Sequence, residues 1–222
     1  MSALLLITTA RALAGTTADI DEECPLDGTR FRATVDASGA SSGMRLDLKK
    51  VGAIHEPSLL AECPSDHFVL YKNSFAPEEL AALRKIVASP AYKGAVAAKE
   101  STYFLLAKIY EQLGKSDYQL ANLYLRASWQ VEEEPARYAS YAGQSLAHLN
   151  AFLGAAAAHD DDWVTAQLLA GELERRLGKF ELAQARFAKL QTIKDPPIAA
   201  IVQYELTLLA AKDAGPHEAP KK

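Results

Sequence analysis

The chain has 222 residues, 49% hydrophobic and 23% charged, enough apolar side chain to bury a core and too much for a disordered polypeptide. Its 28 acidic and 24 basic residues give a net charge of −4, interspersed except for short acidic runs at 21–23, 132–134 and 160–162, so nucleic acid is excluded as an expected partner. The sequence has no stretch approaching the roughly 20 consecutive apolar residues of a transmembrane span.

Residues 1–14 read as a leader. An apolar stretch, Ala3 to Ala10, is followed by Ala12-Leu13-Ala14, the small-x-small pattern a signal peptidase cuts, here before Gly15. The basic n-region is missing and Arg11 interrupts the apolar block. The pattern predicts a periplasmic or secreted protein, with a cytoplasmic one as the alternative.

From Cys24 to about Tyr71, short alternating patches of Thr, Val and Phe (TRFRATV, HFVLY) predict a few strands, and residues 20–75 are read as one small β module. The segment DASGASSGM, Asp36 to Met44, reads as a flexible loop. It lacks the Lys-Ser/Thr that phosphate binding requires.

Beyond Pro77 the chain is rich in alanine and leucine with helical periodicity, and residues 77–212 are read as about seven helices. The first opens on Pro77-Glu78-Glu79 and stops before Ser89-Pro90; the second runs from about Val96 to Leu113. Ser116 with Gln119 is a capping box for the third, Pro135 opens the fourth, and Asp160 to Asp162 cap the fifth, with a buried stripe of Ala166, Leu169, Ala170, Leu173 and Leu177. The sixth follows Gly178 and the seventh opens on Pro196-Pro197. Residues 213–222 read as a flexible tail.

Two helical segments echo one another. TYFLLA through LGK, Thr102 to Lys115, returns as TAQLLA through LGK, Thr165 to Lys179, offset by 63 or 64 residues, about two helix-turn-helix units of the tetratricopeptide kind. In the second copy Gly171 takes the small position of one helix, and Phe180, Ala183 and Phe187 take the aromatic, small and aromatic positions of the next. The fold expected is mainly α: an irregular tetratricopeptide-like array of helical hairpins behind the β module.

The β module opens and closes on an echo of its own, Cys24-Pro-Leu-Asp27-Gly28 and Cys63-Pro-Ser-Asp66-His67. A structural zinc ribbon places C-x2-C on each of two hairpin turns, so that four thiolates surround the ion at ~2.3 Å. Here each motif keeps its first cysteine and has aspartate in place of the second. The succession of CPLDGTRF, CPSDHFVLYKNSF with PEEL, LYLRASWQ and LLAGELERRLGKFELAQARF resembles a bacterial domain-of-unknown-function family in which two CPxCG knuckles precede tetratricopeptide-like helices. Some members of that family look exported and others cytoplasmic. The resemblance covers about Cys24 to Ile193 and implies a fold more than an activity.

In a ribbon of that kind two thiolates on one zinc lie ~3.8 Å apart, from metal–sulfur bonds near 2.3 Å. With the ligand set broken, the resemblance implies that Cys24 and Cys63 stay close and form a disulfide if the chain is exported. Two reduced thiols are the alternative. A third is a degenerate zinc site of Cys24, Asp27, Cys63 and Asp66, with His67 or His55 substituting for a carboxylate; apart from that zinc, no cofactor is expected.

Other features have plain explanations. The aromatics Tyr103, Tyr110, Tyr118, Tyr124, Trp129, Tyr138 and Tyr141 read mainly as core. Glu172, Glu174, Arg175 and Arg176 read as a solvated face with local ion pairs. The five histidines share no helical spacing and form no catalytic constellation. The function expected is therefore non-enzymatic: a scaffold that binds a protein or peptide on its helical surface. The alternative is a zinc-binding or thiol redox-responsive protein acting through the degenerate ribbon.

Overall fold

The alanine- and leucine-rich part of the chain breaks into helices at its prolines, glycines and capping hydroxyls. In the computed structural model, which describes residues 15–155 and 161–221, eight helices follow two small antiparallel β-ribbons. The fold is mainly α with a small β module at its start. The predicted leader, residues 1–14, and Asp160 of the predicted fifth cap lie outside the described residues.

The first ribbon pairs β1, Thr16–Glu23, with β2, Arg30–Ser38; the second pairs β3, Ala40–Met44, with β4, Lys50–Ala53. This changes two expectations. The Gly/Ser-rich segment 36–44 is not a flexible loop but the end of β2 and the whole of β3, because a partner strand takes up its backbone groups. The module also begins before residue 20, with β1, an acidic strand whose charges, Asp19, Asp21 and Glu23 on the outer face and Glu22 on the inner one, mask its alternation. HFVLY, by contrast, contributes one isolated bridge, Val69 to Glu62.

The helices are α1 Pro77–Val87, α2 Pro90–Ala97, α3 Thr102–Gln112, α4 Asp117–Gln130, α5 Pro135–Ala155, α6 Asp161–Arg176, α7 Phe180–Leu190 and α8 Pro196–Ala210. There are eight rather than seven because Pro90 does more than stop α1. Its missing N–H is harmless in a first turn, and the Ser89 hydroxyl accepts the Tyr92 N–H at 3.3 Å, so a separate helix starts there. The helix predicted from Val96 to Leu113 is accordingly split, with Lys99 in the left-handed region (φ 54°) between α2 and α3.

Elsewhere the local signals operate as read. Ser116 and Gln119 form a reciprocal capping box at α4. Gly114 and Gly178 turn the chain at positive φ, 63° and 71°, after α3 and α6. Asp195 caps α8, accepting the Ile198 N–H at 3.1 Å. From α3 onward each helix packs on the next in sequence. No helix among the described residues is long and apolar enough to cross a membrane.

One continuous hydrophobic core runs from Cys24, Leu26, Cys63 and Phe68 in the β module through α1–α6. A second, smaller cluster lies between α7 and α8 around Ala183, Phe187, Leu190 and Val202, with Phe180 partly buried against it. Gly171 on α6 faces the Phe187 ring of α7: a Cβ there would stand 2.5 Å from Cζ of Phe187, so the ring occupies the space of the absent side chain. Of the expected stripe on α6, Ala166, Leu169, Ala170 and Leu173 are buried and Leu177 is partly buried at the rim.

The C-terminal segment is not a frayed tail. Ala219 donates its N–H to Met44 O at 2.8 Å, Leu46 donates to His217 O at 3.0 Å, and Glu218 bridges Arg45. Residues 213–221 thus run back to the β module, because β3 offers a strand edge that the segment can satisfy.

Candidate functional site

Each knuckle is built from the same three hydrogen bonds. In the first, Cys24 N–H donates to Thr29 O at 2.9 Å, Gly28 N–H to Cys24 O at 2.8 Å, and Thr29 N–H to Asp27 Oδ1 at 2.9 Å. In the second, Cys63 N–H donates to Phe68 O at 2.9 Å, His67 N–H to Cys63 O at 3.0 Å, and Phe68 N–H to Asp66 Oδ1 at 2.9 Å. Every bond recurs at a constant offset of 39 residues, the separation of Cys24 and Cys63.

The aspartates therefore have a structural reason. A carboxylate at this position accepts the N–H two residues on and closes an Asx turn, keeping the knuckle's shape without a thiolate. The left-handed residue after it is Gly28 in one copy (φ 78°) and His67 in the other (φ 61°). Glycine adopts that conformation freely; His67 carries its strain within a turn held by two backbone bonds.

The two turns face each other, and Cys24 and Cys63 are joined by a disulfide with their Cα atoms 5.7 Å apart. Both residues are buried, 1% and 0% exposed, so the bridge belongs to the core. The module is then fixed to the first two helices by side chains reaching its backbone. Arg84 Nε of α1 donates to Leu26 O at 2.9 Å, and the Tyr92 hydroxyl of α2 donates to His67 O at 2.7 Å.

The four degenerate ligands are not brought together as one set. Among the described residues, Cys24, Cys63 and Asp66 form a group whose ligand atoms lie within 4.8 Å of one another. Asp66 Oδ1 is 3.9 Å from Cys24 Sγ, a contact and not a hydrogen bond, since a bridged sulfur has no proton to give. Asp27 lies outside this group. The Ser65 hydroxyl, and after it the Thr29 N–H, hold its carboxyl below the usual carboxylate range.

Neither candidate histidine joins the group. His67 Nδ1 is 2.5 Å from Glu62 Oε1, and His55 Nδ1 is 2.9 Å from Asp36 Oδ1. With the sulfurs bridged, the arrangement acts as a covalent tie. With them reduced, it offers two thiolates and one carboxylate at metal-ligand spacing, short of the four ligands of a closed zinc site.

A second polar constellation is buried, and it takes in residues of α6 expected on a solvated face. Asp47, 1% exposed in the turn between β3 and β4, accepts from Arg45 Nε at 3.0 Å, Lys49 N at 3.2 Å and Trp129 Nε1 of α4 at 3.1 Å. Glu132, just beyond α4, pairs with Arg45 at 2.5 Å and Lys49 at 2.6 Å. Burial works against its charge, but these two cations outweigh it and hold the carboxyl below the ordinary glutamate range. Arg176 of α6 reaches Asp47 at 3.7 Å and lies over the Tyr138 ring of α5, 4.9 Å from its centroid.

One residue earlier on α6, Arg175 is fully buried between two carboxylates. It donates to Glu172 at 2.6 Å, to Glu205 of α8 at 2.9 Å, and through Nη1 to Asp213 O and Gly215 O at 2.6 and 2.9 Å. Burial, and then repulsion from Glu205, push Glu172 well above its usual range; burial also raises Glu205. Glu174, 3% exposed, pairs with Arg186 of α7 at 2.7 Å. The expected solvated face is instead the joint between α6, α8 and the returning C-terminus. Local spacing showed only the Glu172–Arg175 pair; Asp47, Glu205 and the tail carbonyls are too distant in sequence to signal themselves.

Tyr103, Tyr124, Trp129, Tyr138 and Tyr141 are buried, and Tyr110 and Tyr118 are partly so. No family model, curated protein or solved structure matches the chain.

Proposed function

We propose that the protein is a non-enzymatic scaffold that binds another protein or peptide. The observation that carries this reading is the single core continuous from the knuckles through α6, tied by the disulfide and by the Asp47–Glu132 seam. Side chains of α1, α2 and α4 reach back to the β module, and the C-terminal segment closes on it. A body so joined presents a fixed surface, which lowers the ordering cost of binding. The succession of knuckles and neighbour-packed helices supports kinship with the paired-knuckle, tetratricopeptide-like family, and Gly171 under Phe187, with Ala183, supports repeat-type packing of α6 and α7.

The disulfide supports a location outside the reducing cytoplasm, periplasmic or secreted, which agrees with the leader pattern. Cross-linking and affinity purification from the native host, with N-terminal sequencing of the mature chain, test the reading. Recovery of one stoichiometric protein partner is the expected result, and a chain that purifies alone under cross-linking overturns it.

The grouping of Cys24, Cys63 and Asp66 favours a second reading, a thiol redox-responsive or zinc-binding protein. It predicts two free thiols and bound zinc after mild reduction. Elemental analysis showing no zinc after mild reduction, with the thiols still bridged under that reduction, removes it.

A further inference from the structure

The β1–β2 ribbon has two unlike faces. Cross-strand pairs Ala18–Val35, Ile20–Ala33 and Glu22–Phe31 share the inner face, and Asp19–Thr34, Asp21–Arg32 and Glu23–Arg30 share the outer one. Beside the inner face lies a cavity of about 430 Å³ with Ile20, Val35, Leu59, Leu60, Leu70 and Tyr71 in its walls. Two of the four large hydrophobic side chains most exposed among the described residues, Ile20 at 37% and Leu59 at 38%, stand in this cavity. Exposed apolar surface gathered in one concavity marks a contact site more than scattered residues do.

Along the same strand one edge is unpaired with any other strand among the described residues, since β1 pairs only with β2. A free edge next to a cavity with apolar walls, here shared with Glu22, Glu23 and Lys72, is what an added strand uses: main-chain bonds to the edge, alternate side chains into the cavity. The outer row of β1 is Asp19, Asp21 and Glu23; Glu23 pairs with Arg30 at 3.2 Å and Asp19 accepts from the Thr34 hydroxyl at 2.7 Å, both exposed contacts to β2, and Arg30 and Arg32 stand beyond β1 from any incoming strand. Residues 15–36 hold six acids against two bases, an excess equal to that of the whole chain.

We infer that β1 and its cavity bind an extended segment of a partner protein in which apolar residues alternate with lysine or arginine. The segment adds as a third strand along the free edge of β1. Its apolar residues enter the cavity against Ile20 and Leu59, and its basic residues meet the row Asp19, Asp21, Glu23. This rests on the scaffold reading and adds a site on the β module, away from the helical surface.

The test uses the full chain and a fluorescent peptide of about nine residues alternating lysine with valine or leucine, beside a control with glutamate for lysine. Fluorescence anisotropy at fixed salt is expected to show binding of the basic peptide alone. Hydrogen exchange is expected to show new protection confined to residues 16–23. Asp21→Lys is expected to weaken binding about tenfold, a change of about 1.4 kcal/mol, and Ile20→Asp to abolish it. Both positions are exposed, so folding is retained, and an unchanged urea midpoint checks this.

Equal binding of both peptides, protection on the helices, or indifference to both substitutions overturns the inference. If a partner captured from the host binds Ile20→Asp as well as the parent chain, the groove inference fails while the scaffold reading stands. If the peptide binds β1 as described but no host partner is found, the scaffold reading fails alone.

Discussion

The paired knuckles and the joint around α6 are both buried and both hold distant parts of the chain together, yet they do so by different means. The knuckles are local turns closed by their own backbone and by Asp27 and Asp66, joined by one covalent bond. The α6 joint is a set of ionisable side chains with almost no exposure, Glu172, Arg175, Asp47 and Arg176, contributed by elements up to 166 residues apart between Asp47 and Asp213. A turn closed locally tolerates loss of a distant partner. A buried ion does not, because its neighbours are left charged and dry.

The largest expected effect breaks the second region. Arg175→Met leaves Glu172 and Glu205 facing each other without their cation and strips two donors from the tail carbonyls at 213 and 215. We expect a loss of about 3–5 kcal/mol, measured by urea denaturation at pH 8, with new hydrogen exchange at residues 213–219. Replacing the pair's charge instead, by Glu172→Gln with Arg175 kept, is expected to cost far less.

The matching break in the first region is the double substitution of Cys24 and Cys63 by alanine. The bridge closes a loop spanning 39 residues, and its removal is expected to cost about 3–4 kcal/mol by loop entropy. The turns should nonetheless persist, with Gly28 and Phe68 amides still protected. Loss of that protection would mean that the disulfide, and not the Asx turns, shapes the knuckles.

A third substitution adjusts packing alone. Gly171→Ala puts a methyl group 2.5 Å from the Phe187 ring, so the ring must move, and a loss of about 1–3 kcal/mol is expected. The urea midpoint reports it. A neutral outcome would show that α7 can shift against α6 without cost.

The smallest effect is pH-dependent and separates the two charged groups of the joint. Glu172, raised by burial and by Glu205, holds a proton in the folded state that the unfolded chain releases. Its contribution is therefore full below the ordinary glutamate pKa and is lost as pH rises toward the folded value. Glu132, held low against its burial by Arg45 and Lys49, contributes above the ordinary range and loses that contribution as pH falls through its folded value. Stability should decline as pH rises above the ordinary glutamate range, and Glu172→Gln should flatten that decline. Below about pH 4, where the Glu132 contribution fades, Glu132→Gln should flatten the acid limb.

How much of this was legible follows from how local each signal is. Ser116 with Gln119, Pro196 at the start of the last helix, and Gly114 and Gly178 act within their own helix ends, and they stand where the sequence predicts them; the Asp195 cap beside those prolines is added by the structure. From the sequence Pro90 reads as a stop alone, because proline suits both the end of one helix and the first turn of another; in the fold it also opens α2. The segment 36–44 reads as a loop for a related reason: small polar residues suit one until a partner strand is supplied. At the knuckles the motif gave the cysteines, but it could not say that Asp66 would sit beside the sulfurs and Asp27 away from them.

By itself the sequence determined the mainly helical architecture, most helix boundaries and the paired knuckles, because capping, turn chemistry and hydrophobic periodicity are satisfied within a few residues. Only the tertiary structure decided which charged residues are buried. Glu172, Arg175 and Arg176 on a helix face have the same local pattern whether water, or Glu205, Asp47 and the returning C-terminus, lies opposite. The cost of removing an ion from water is set by what finally covers it, and what covers it here comes from the far ends of the chain.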